Sequence, residues 1–105
     1  MHTPQSAFRA LADPTRRDIL LMLRGRDLSI GEVAENFDMT RAAVKKHLTV
    51  LSDGGLITTE TRGRERISSL NPEGIAPVYD WFAFFDGFWD MRLVALKAAI
   101  EKDTE

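Results

Sequence analysis

Closely spaced helix-start and helix-stop signals in the middle of the chain restrict its fold more than any other feature. Ser29 precedes Glu32 by three residues, which is the spacing of a capping box at a helix start. Thr40 is suited to cap a second helix, and the glycine pair at 54–55 is suited to end it. Two short helices separated by a tight break predict a helix-turn-helix.

Two more helices are predicted before this unit, and a β-hairpin after it. Asp13 suits an N-cap and Pro14 the first helical position, which divides the start of the chain into helices of about residues 4–12 and 14–24. Residues 57–70 then alternate threonine and isoleucine with polar side chains on either side of an Arg-Gly-Arg-Glu turn. This alternation around a glycine predicts a hairpin.

The last third of the chain is predicted to be one long helix of about residues 75–102. Its apolar residues recur every three or four positions, and Pro77 fits only the first turn. A basic hairpin that follows a helix-turn-helix is a wing. The predicted fold class is therefore mainly α with a small β-hairpin, a single winged helix-turn-helix domain over residues 1–105 with an extended C-terminal helix.

Charge is distributed unevenly along the chain. The net charge is -2, yet residues 40–66 hold six basic and three acidic side chains, or +3. Residues 67–105 hold three basic and seven acidic side chains, or -4. The overall charge argues against a general polyanion binder, whereas the local charge permits a specific one.

The second helix of the predicted helix-turn-helix has one face suited to DNA. At about 100° per residue, Val44, Leu48 and Leu51 lie close together and are expected to face the core. The opposite side is small at its front and positive behind, with Arg41 and His47 at its flanks. A DNA major groove admits a helix whose leading residues are small, and the cations behind them can pair with the phosphates that line the groove walls. The exposed side consists of Ala42, Lys45, Lys46 and Thr49.

The predicted hairpin carries Arg62, Arg64 and Arg66, which would reach the DNA backbone or the minor groove. The alternative is a winged helix that binds a protein and not DNA. The basic wing and the adjacent lysines favour DNA. An enzyme is disfavoured, because neither of the two histidines has a nearby serine or carboxylate motif and no glycine-rich phosphate loop is present. No cofactor is predicted.

Four stretches of the sequence occur in an order typical of one family: LADPTRRDILLML, IGEVAENFDMTRAAVKKHLTVLSDGGLI, RGRERISSLNP and WFAFFDGFWDMRLVALKAAIE. Over nearly its whole length the chain resembles the ArsR (ArsR/SmtB) family of winged helix-turn-helix repressors. The resemblance implies a homodimer that binds an inverted-repeat operator in double-stranded DNA and represses its own or a neighbouring operon. It places the DNA contacts at Thr40, Arg41, Ala42, Lys45, Lys46, His47, Arg62, Arg64 and Arg66.

Two departures from the family pattern stand out. Many members sense metals through cysteines near the helix-turn-helix or through histidines on the terminal helix. This chain has no cysteine, and its terminal helix offers Asp80, Asp86 and Asp90 without a histidine, so no metal site is expected. Asp38 stands at the turn where the family usually has glycine, and we expect it to adopt a positive φ.

Six aromatic side chains crowd into nine residues of the terminal helix. Together they offer roughly 900–1,500 Å² of apolar surface, against about 300–600 Å² for the largest patch of a typical monomer. Self-association through residues 1–12 and 75–102 is therefore predicted. The aromatic cluster has two alternative explanations. It could belong to an ordinary core helix, or it could line a pocket at the dimer seam for an unidentified small-molecule inducer. The predicted interface consists of Phe8, Leu11, Trp81, Phe82, Phe85, Phe88, Trp89, Leu93 and Leu96.

The sequence also indicates a location in the cell. It has no run of eighteen apolar residues, and its first twenty residues carry charges where a signal peptide needs an apolar stretch. A cytoplasmic protein without a membrane partner is expected.

Overall fold

The computed structural model describes residues 4–103, which form helices around a small antiparallel sheet. The sheet has the strand order β1-β3-β2. In chain order the elements are α1 (Pro4–Leu11), α2 (Pro14–Met22), β1 (Leu28–Ser29), α3 (Ile30–Ala34), α4 (Arg41–Asp53), β2 (Ile57–Arg62), β3 (Glu65–Leu70), α5 (Pro72–Ala83) and α6 (Asp86–Asp103).

The predicted helix starts are confirmed by side-chain caps. The Asp13 carboxylate accepts hydrogen bonds from the backbone N–H groups of Thr15 and Arg16, at 2.8 Å and 3.3 Å. Ser29 and Glu32 form the expected capping box, with N···O distances of 3.1 Å and 3.0 Å. The Thr40 hydroxyl accepts a hydrogen bond from the backbone N–H of Ala43, the third residue of α4, at 3.1 Å. Each cap satisfies N–H groups that a helix start leaves unpaired.

The predicted hairpin is present, and it belongs to a larger sheet than the sequence indicates. Strands β2 and β3 pair from Ile57 opposite Leu70 to Arg62 opposite Glu65. Gly63 turns the chain between them at a φ of 62°, which glycine adopts without strain. The two-residue strand β1 pairs with β3 on its other edge, and it is too short to have shown an alternating pattern. Because β1 directly precedes α3, its pairing with β3 connects the start of α3 to the β2–β3 hairpin, which is the wing.

The prediction of a positive φ at Asp38 is wrong. Among the described residues, positive φ values occur only at glycines, at Gly55 and Gly63. Helix α3 ends at Ala34, so six residues separate it from α4. Because the change of direction is spread over this segment, no single residue needs the left-handed conformation, and Asp38 carries no strain that a glycine would relieve.

The prediction of one terminal helix is also wrong. Helix α5 begins at Pro72, three residues earlier than expected, and Pro77 consequently lies in its interior, beyond the first turn. The helical path is interrupted at residues 84–85, where the N–H groups of Phe84 and Phe85 donate to carbonyls three residues back, at 3.3 Å and 3.0 Å. These tight bonds separate α5 from α6.

A junction of α4 with α5 completes the folded body. The Asn71 side chain donates to the Gly55 carbonyl at 2.9 Å, and the Asn71 N–H donates to the Leu56 carbonyl at 2.9 Å. A Cβ at Gly74 would lie 1.6 Å from the Gly55 carbonyl oxygen, so only glycine fits there. The core between the helices and the sheet includes Ala7, Ala10, Ile19, Leu23, Leu28, Val33, Val44, Leu48, Leu51, Leu56, Ile57 and Val78.

Helix α6 extends away from this body. The molecule measures 64 × 31 × 21 Å, and its radius of gyration is 18.3 Å, against about 13 Å for a compact domain of this length. Every residue from 84 to 102 is exposed. Within residues 4–103, no helix has the length and apolar character needed to span a bilayer.

Gly74→Ala tests the junction. The new methyl group would overlap the Gly55 backbone, so we expect the free energy of unfolding to fall by about 3 kcal/mol or more. Gly25→Ala is the control, because a Cβ there meets nothing within 4 Å, and its effect should stay within about 0.5 kcal/mol. Urea denaturation at one fixed protein concentration measures both, and equal losses would refute the close contact.

The Asp13 cap should make part of the stability depend on pH. Burial raises the pKa of Asp13, but backbone hydrogen bonds from Arg16 and Thr15, with the Arg16 charge, outweigh it and hold the pKa below its ordinary value. A lowered folded-state pKa gives stability that is present above the unfolded pKa and is lost as the pH falls through the folded one.

Asp13→Asn keeps an acceptor oxygen and removes the charge. Its Tm should therefore lie below that of the wild type at about pH 7, and the difference should shrink towards about pH 3. Asp18→Asn, on the same helix, controls for the loss of a carboxylate. A difference in Tm that stays constant across this range would contradict the role given to the Asp13 charge.

Candidate nucleic-acid interface

Helix α4 presents the predicted face to solvent. Val44, Leu48 and Leu51 are buried against the core, as expected from their spacing. The side chains predicted on the opposite side are exposed, which confirms the orientation of the helix. They are Arg41, Ala42, Lys45, Lys46 and Thr49. Thr40 is exposed at the N-cap, where its hydroxyl oxygen is already bonded to a backbone N–H group.

A cleft of about 310 Å³ separates the first turns of α3 and α4 from the wing. Four cations and one carboxylate line it, a formal charge of +3 in a chain whose net charge is -2. This concentration of positive charge suits the phosphates of a nucleic acid. The lining residues are Ser29, Ile30, Gly31, Arg41, Ala42, Lys45, Arg64, Glu65 and Arg66.

Arg41 lies against the backbone of α3. A Cβ at Gly31 would stand 2.5 Å from the Arg41 Nη2 atom and 3.3 Å from its Cζ atom. The absence of a side chain at Gly31 therefore leaves room for the Arg41 guanidinium against α3 at the edge of the cleft. The sequence pattern does not reveal this contact of Gly31, because it depends on how closely two helices approach each other.

Arg62 differs from the other arginines of the wing because acidic neighbours form ion pairs with it. Its guanidinium forms ion pairs with Glu60 on the same strand and with Asp27 before β1, the latter at 3.5 Å. The hydrogen bond and the charge of Glu60 raise the pKa of Arg62, and Asp27 adds to the effect. A DNA phosphate would have to compete with two carboxylates for this side chain, although exposed pairs of this kind are weak.

His47 is half-buried and faces another arginine. Its Nδ1 atom lies 3.3 Å from Nη1 of Arg16, whose Nε and Nη2 atoms donate to the carbonyls of Ala10 and Arg9, at 2.7 Å and 3.3 Å. Because a guanidinium can only donate, a hydrogen bond at this contact requires Nδ1 to be the acceptor. Arg16 thus connects the last turn of α1 to α4, a contact that the sequence pattern did not reveal.

A second, apolar surface covers α5 and α6. Phe8 and Leu11 are half-buried against the core, and the Phe8 ring meets Trp81 edge-on at 5.4 Å. Trp81 in turn contacts Phe85, with the ring centroids 5.1 Å apart. The other predicted interface residues stay largely exposed in the single chain, at 42% to 62%. They are Trp81, Phe82, Phe85, Phe88, Trp89, Leu93 and Leu96.

Within the described part of the chain, no three His, Asp or Glu side chains cluster in a way that could hold a metal ion. Asp86 and Asp90 therefore stand without a third ligand of this kind in the described residues.

Comparison with known proteins identifies the class of regulator. A family model described as a helix-turn-helix domain matches residues 11–60. The transcriptional repressor SdpR of Bacillus subtilis is 32% identical over 80 residues, which cover 76% of this chain and 89% of that protein. The HTH-type transcriptional regulator Rv2034 of Mycobacterium tuberculosis is 34% identical over 101 residues, which cover 96% of this chain and 92% of that one.

Solved structures agree with these relatives. An ArsR family transcriptional regulator superimposes with a TM-score of 0.74 at 36% identity, covering 82% of this chain and 94% of that chain. An ArsR-like transcriptional regulator from Rhodococcus sp. RHA1 gives a TM-score of 0.68 at 32% identity, covering 90% of each chain. The chain belongs to the ArsR family of winged helix-turn-helix proteins and is a DNA-binding transcriptional regulator, not an enzyme.

Proposed function

We propose that the chain acts as a homodimeric repressor that binds an inverted-repeat operator and controls its own or a neighbouring operon. The observation that supports this most directly is the cleft between α4 and the wing, where Arg41, Lys45, Arg64 and Arg66 stand together on one side of an acidic protein. We infer repression, and not activation, because the relative SdpR is named a transcriptional repressor.

The cations of the cleft differ in the contacts they suit. Arg41 is the first residue of α4, and the leading residues of a recognition helix reach base edges, where arginine pairs bidentately with guanine. Lys45 lies one turn further along and is suited to a phosphate or a base. Arg64 and Arg66 belong to the wing and are suited to the phosphate backbone or the minor groove. We give Arg62 a smaller share, because Glu60 and Asp27 hold it.

The α5–α6 surface supplies the dimer contact in this proposal. Its aromatic and aliphatic side chains are too many for one chain to cover, and α6 projects from the body with all of its described side chains exposed. A symmetric partner would bury this surface against its own copy. Helix α1 packs against this surface, because its Phe8 ring contacts Trp81 of α5.

Trp89→Asp tests the dimer. Trp89 is 57% exposed in the single chain, and a carboxylate in an apolar seam should weaken association by several kcal/mol, on the order of its desolvation cost. Leu21→Asp is the matched control, since Leu21 is 53% exposed on α2, a helix that is not part of the proposed dimer surface. Sedimentation equilibrium at micromolar concentration should show a dimer for the wild type and the control, and a monomer for Trp89→Asp. A monomeric wild type would refute the proposal.

Arg41→Ala and Arg64→Ala test how the DNA is read. Selection from a random duplex library by the purified protein supplies the operator, and fluorescence anisotropy across a salt series measures the affinity. Arg41→Ala should cost about 1–3 kcal/mol per half-site and relax the preference at one base position. Arg64→Ala should weaken operator and scrambled duplex alike, and should reduce the salt slope by about one per lost phosphate contact.

Arg24→Ala is the control for these variants, because Arg24 is an exposed arginine that follows α2 and is not among the residues that line the cleft. It should bind both duplexes like the wild type. Equal losses of operator and scrambled binding in Arg41→Ala would remove Arg41 from base readout. Unchanged affinity in both cleft variants would contradict the proposed DNA-binding surface.

A further inference from the structure

A second cavity adjoins the DNA-facing cleft on the side of the β2–β3 strands. This inner cavity has a volume of about 170 Å³ and lies between α4 and the β2–β3 hairpin. It shares Ile30, Lys45 and Arg66 with the outer cleft, so two of the proposed DNA-binding cations stand at the boundary of both. The inner cavity is lined by Ile30, Lys45, Leu48, Thr49, Ser52, Thr59, Arg66 and Ser68.

Ser68 is the unusual member of this lining. It has no exposed surface, and its Oγ atom has no hydrogen-bond partner among the described residues. A buried hydroxyl without a partner destabilises the fold, and an acceptor that reaches it recovers that loss. Thr59 stands directly opposite Ser68 across the strand pair, so its hydroxyl lies on the same face of the sheet. Thr49, by contrast, already donates to the Lys45 carbonyl at 3.0 Å.

The charges around the inner cavity indicate the chemistry of its ligand. Lys45 and Arg66 are cations, and none of the eight lining residues, all within the described part of the chain, is Asp or Glu. Ammonium, guanidinium and hydroxyl groups donate hydrogen bonds to oxyanions. The volume is several times the share of one water molecule, about 30 Å³, so a small organic molecule fits.

We propose that the inner cavity binds a small metabolite through a phosphate or carboxylate group, with Ser68, Thr59, Lys45 and Arg66 as its contacts. Because Ser68 has no exposed surface, an anion contacts its hydroxyl only after a lining side chain shifts aside, and the flexible side chains of Lys45 and Arg66 then close around the anion. Both cations are then withdrawn from the outer cleft, and DNA affinity falls. This second step rests on the proposed repressor function, whereas anion binding does not.

The first experiment measures anion binding without DNA. Inorganic phosphate is titrated into the full chain at constant ionic strength, and the backbone amide resonances near the cavity are followed by NMR. We expect saturable shifts at Thr49, Thr59 and Ser68, and a dissociation constant about tenfold higher in Ser68→Ala. Ser69→Ala is the matched control, because the next residue of a strand points to the other face, and it should bind phosphate like the wild type.

The outcomes separate the possible occupants. Shifts that do not saturate, as for a cavity that holds only water, would overturn the proposal. Equal phosphate affinity in wild type and Ser68→Ala would place the ion at the outer cleft and would also overturn it. Thermal unfolding gives a second reading: without phosphate, Ser68→Ala should be at least as stable as the wild type, because it removes an unpaired hydroxyl. Thr59→Val, of similar shape, should also weaken phosphate binding and covers the case of a poorly folded Ser68→Ala.

The second experiment adds the selected operator duplex. At constant ionic strength, phosphate should weaken operator binding by the wild type, and should do so less in Ser68→Ala. Without phosphate, Ser68→Ala should bind the operator within about twofold of the wild type, since a free anion and not a DNA phosphate occupies the inner cavity. A loss of operator affinity without phosphate would identify a DNA phosphate as the occupant and refute the metabolite site. A chain that binds phosphate but no duplex would refute only the repressor function.

Discussion

The contact of Gly74 and Asn71 with Gly55 fixes how the parts of this regulator are arranged. The end of α4, the two ends of the β2–β3 hairpin and the start of α5 all meet within these few residues, because Asn71 bonds to both Gly55 and Leu56. The positive φ of Gly55, at 79°, turns the chain out of α4 and into the wing. Since Gly74 leaves no space for a side chain, α5 lies directly on that turn. Helix α4, the wing and α5 are therefore held in place by the same set of contacts.

The positive surface is local, and its strength depends on where the acidic residues stand. The net negative charge of the chain lies mainly in residues 67–105, which sum to -4, whereas the cleft has four cations and a single carboxylate. Arg62 shows the opposite case, because Glu60 on the same strand and Asp27 before β1 both form ion pairs with it. Interactions beyond about 10 Å are largely screened at moderate salt, so the net charge of -2 has little influence on the cleft.

Features set by neighbouring residues could be predicted from the sequence, and features set by distant ones could not. The caps at Asp13, Ser29 and Thr40 follow from a few adjacent residues, and the buried face of α4 follows from helical spacing. The placement of Arg41 on Gly31, and of His47 on Arg16, depends on how helices approach one another. The turn at Asp38 and the break after α5 were predicted wrongly, because spacing of apolar residues does not show where a short segment replaces a tight turn or interrupts a helix.

The interruption at residues 84–85 has a consequence for operator geometry. Helix α5 packs on the junction that supports α4, while α6 carries most of the exposed side chains of the proposed dimer surface. Only two residues connect these helices, so their backbone angles influence how far apart the two copies of α4 stand in the proposed dimer. Half-sites one DNA turn apart require a separation of about 34 Å. A small rotation at residues 84–85 is multiplied over the length of the molecule, and this joint therefore contributes to the spacing between half-sites that the proposed dimer can bind.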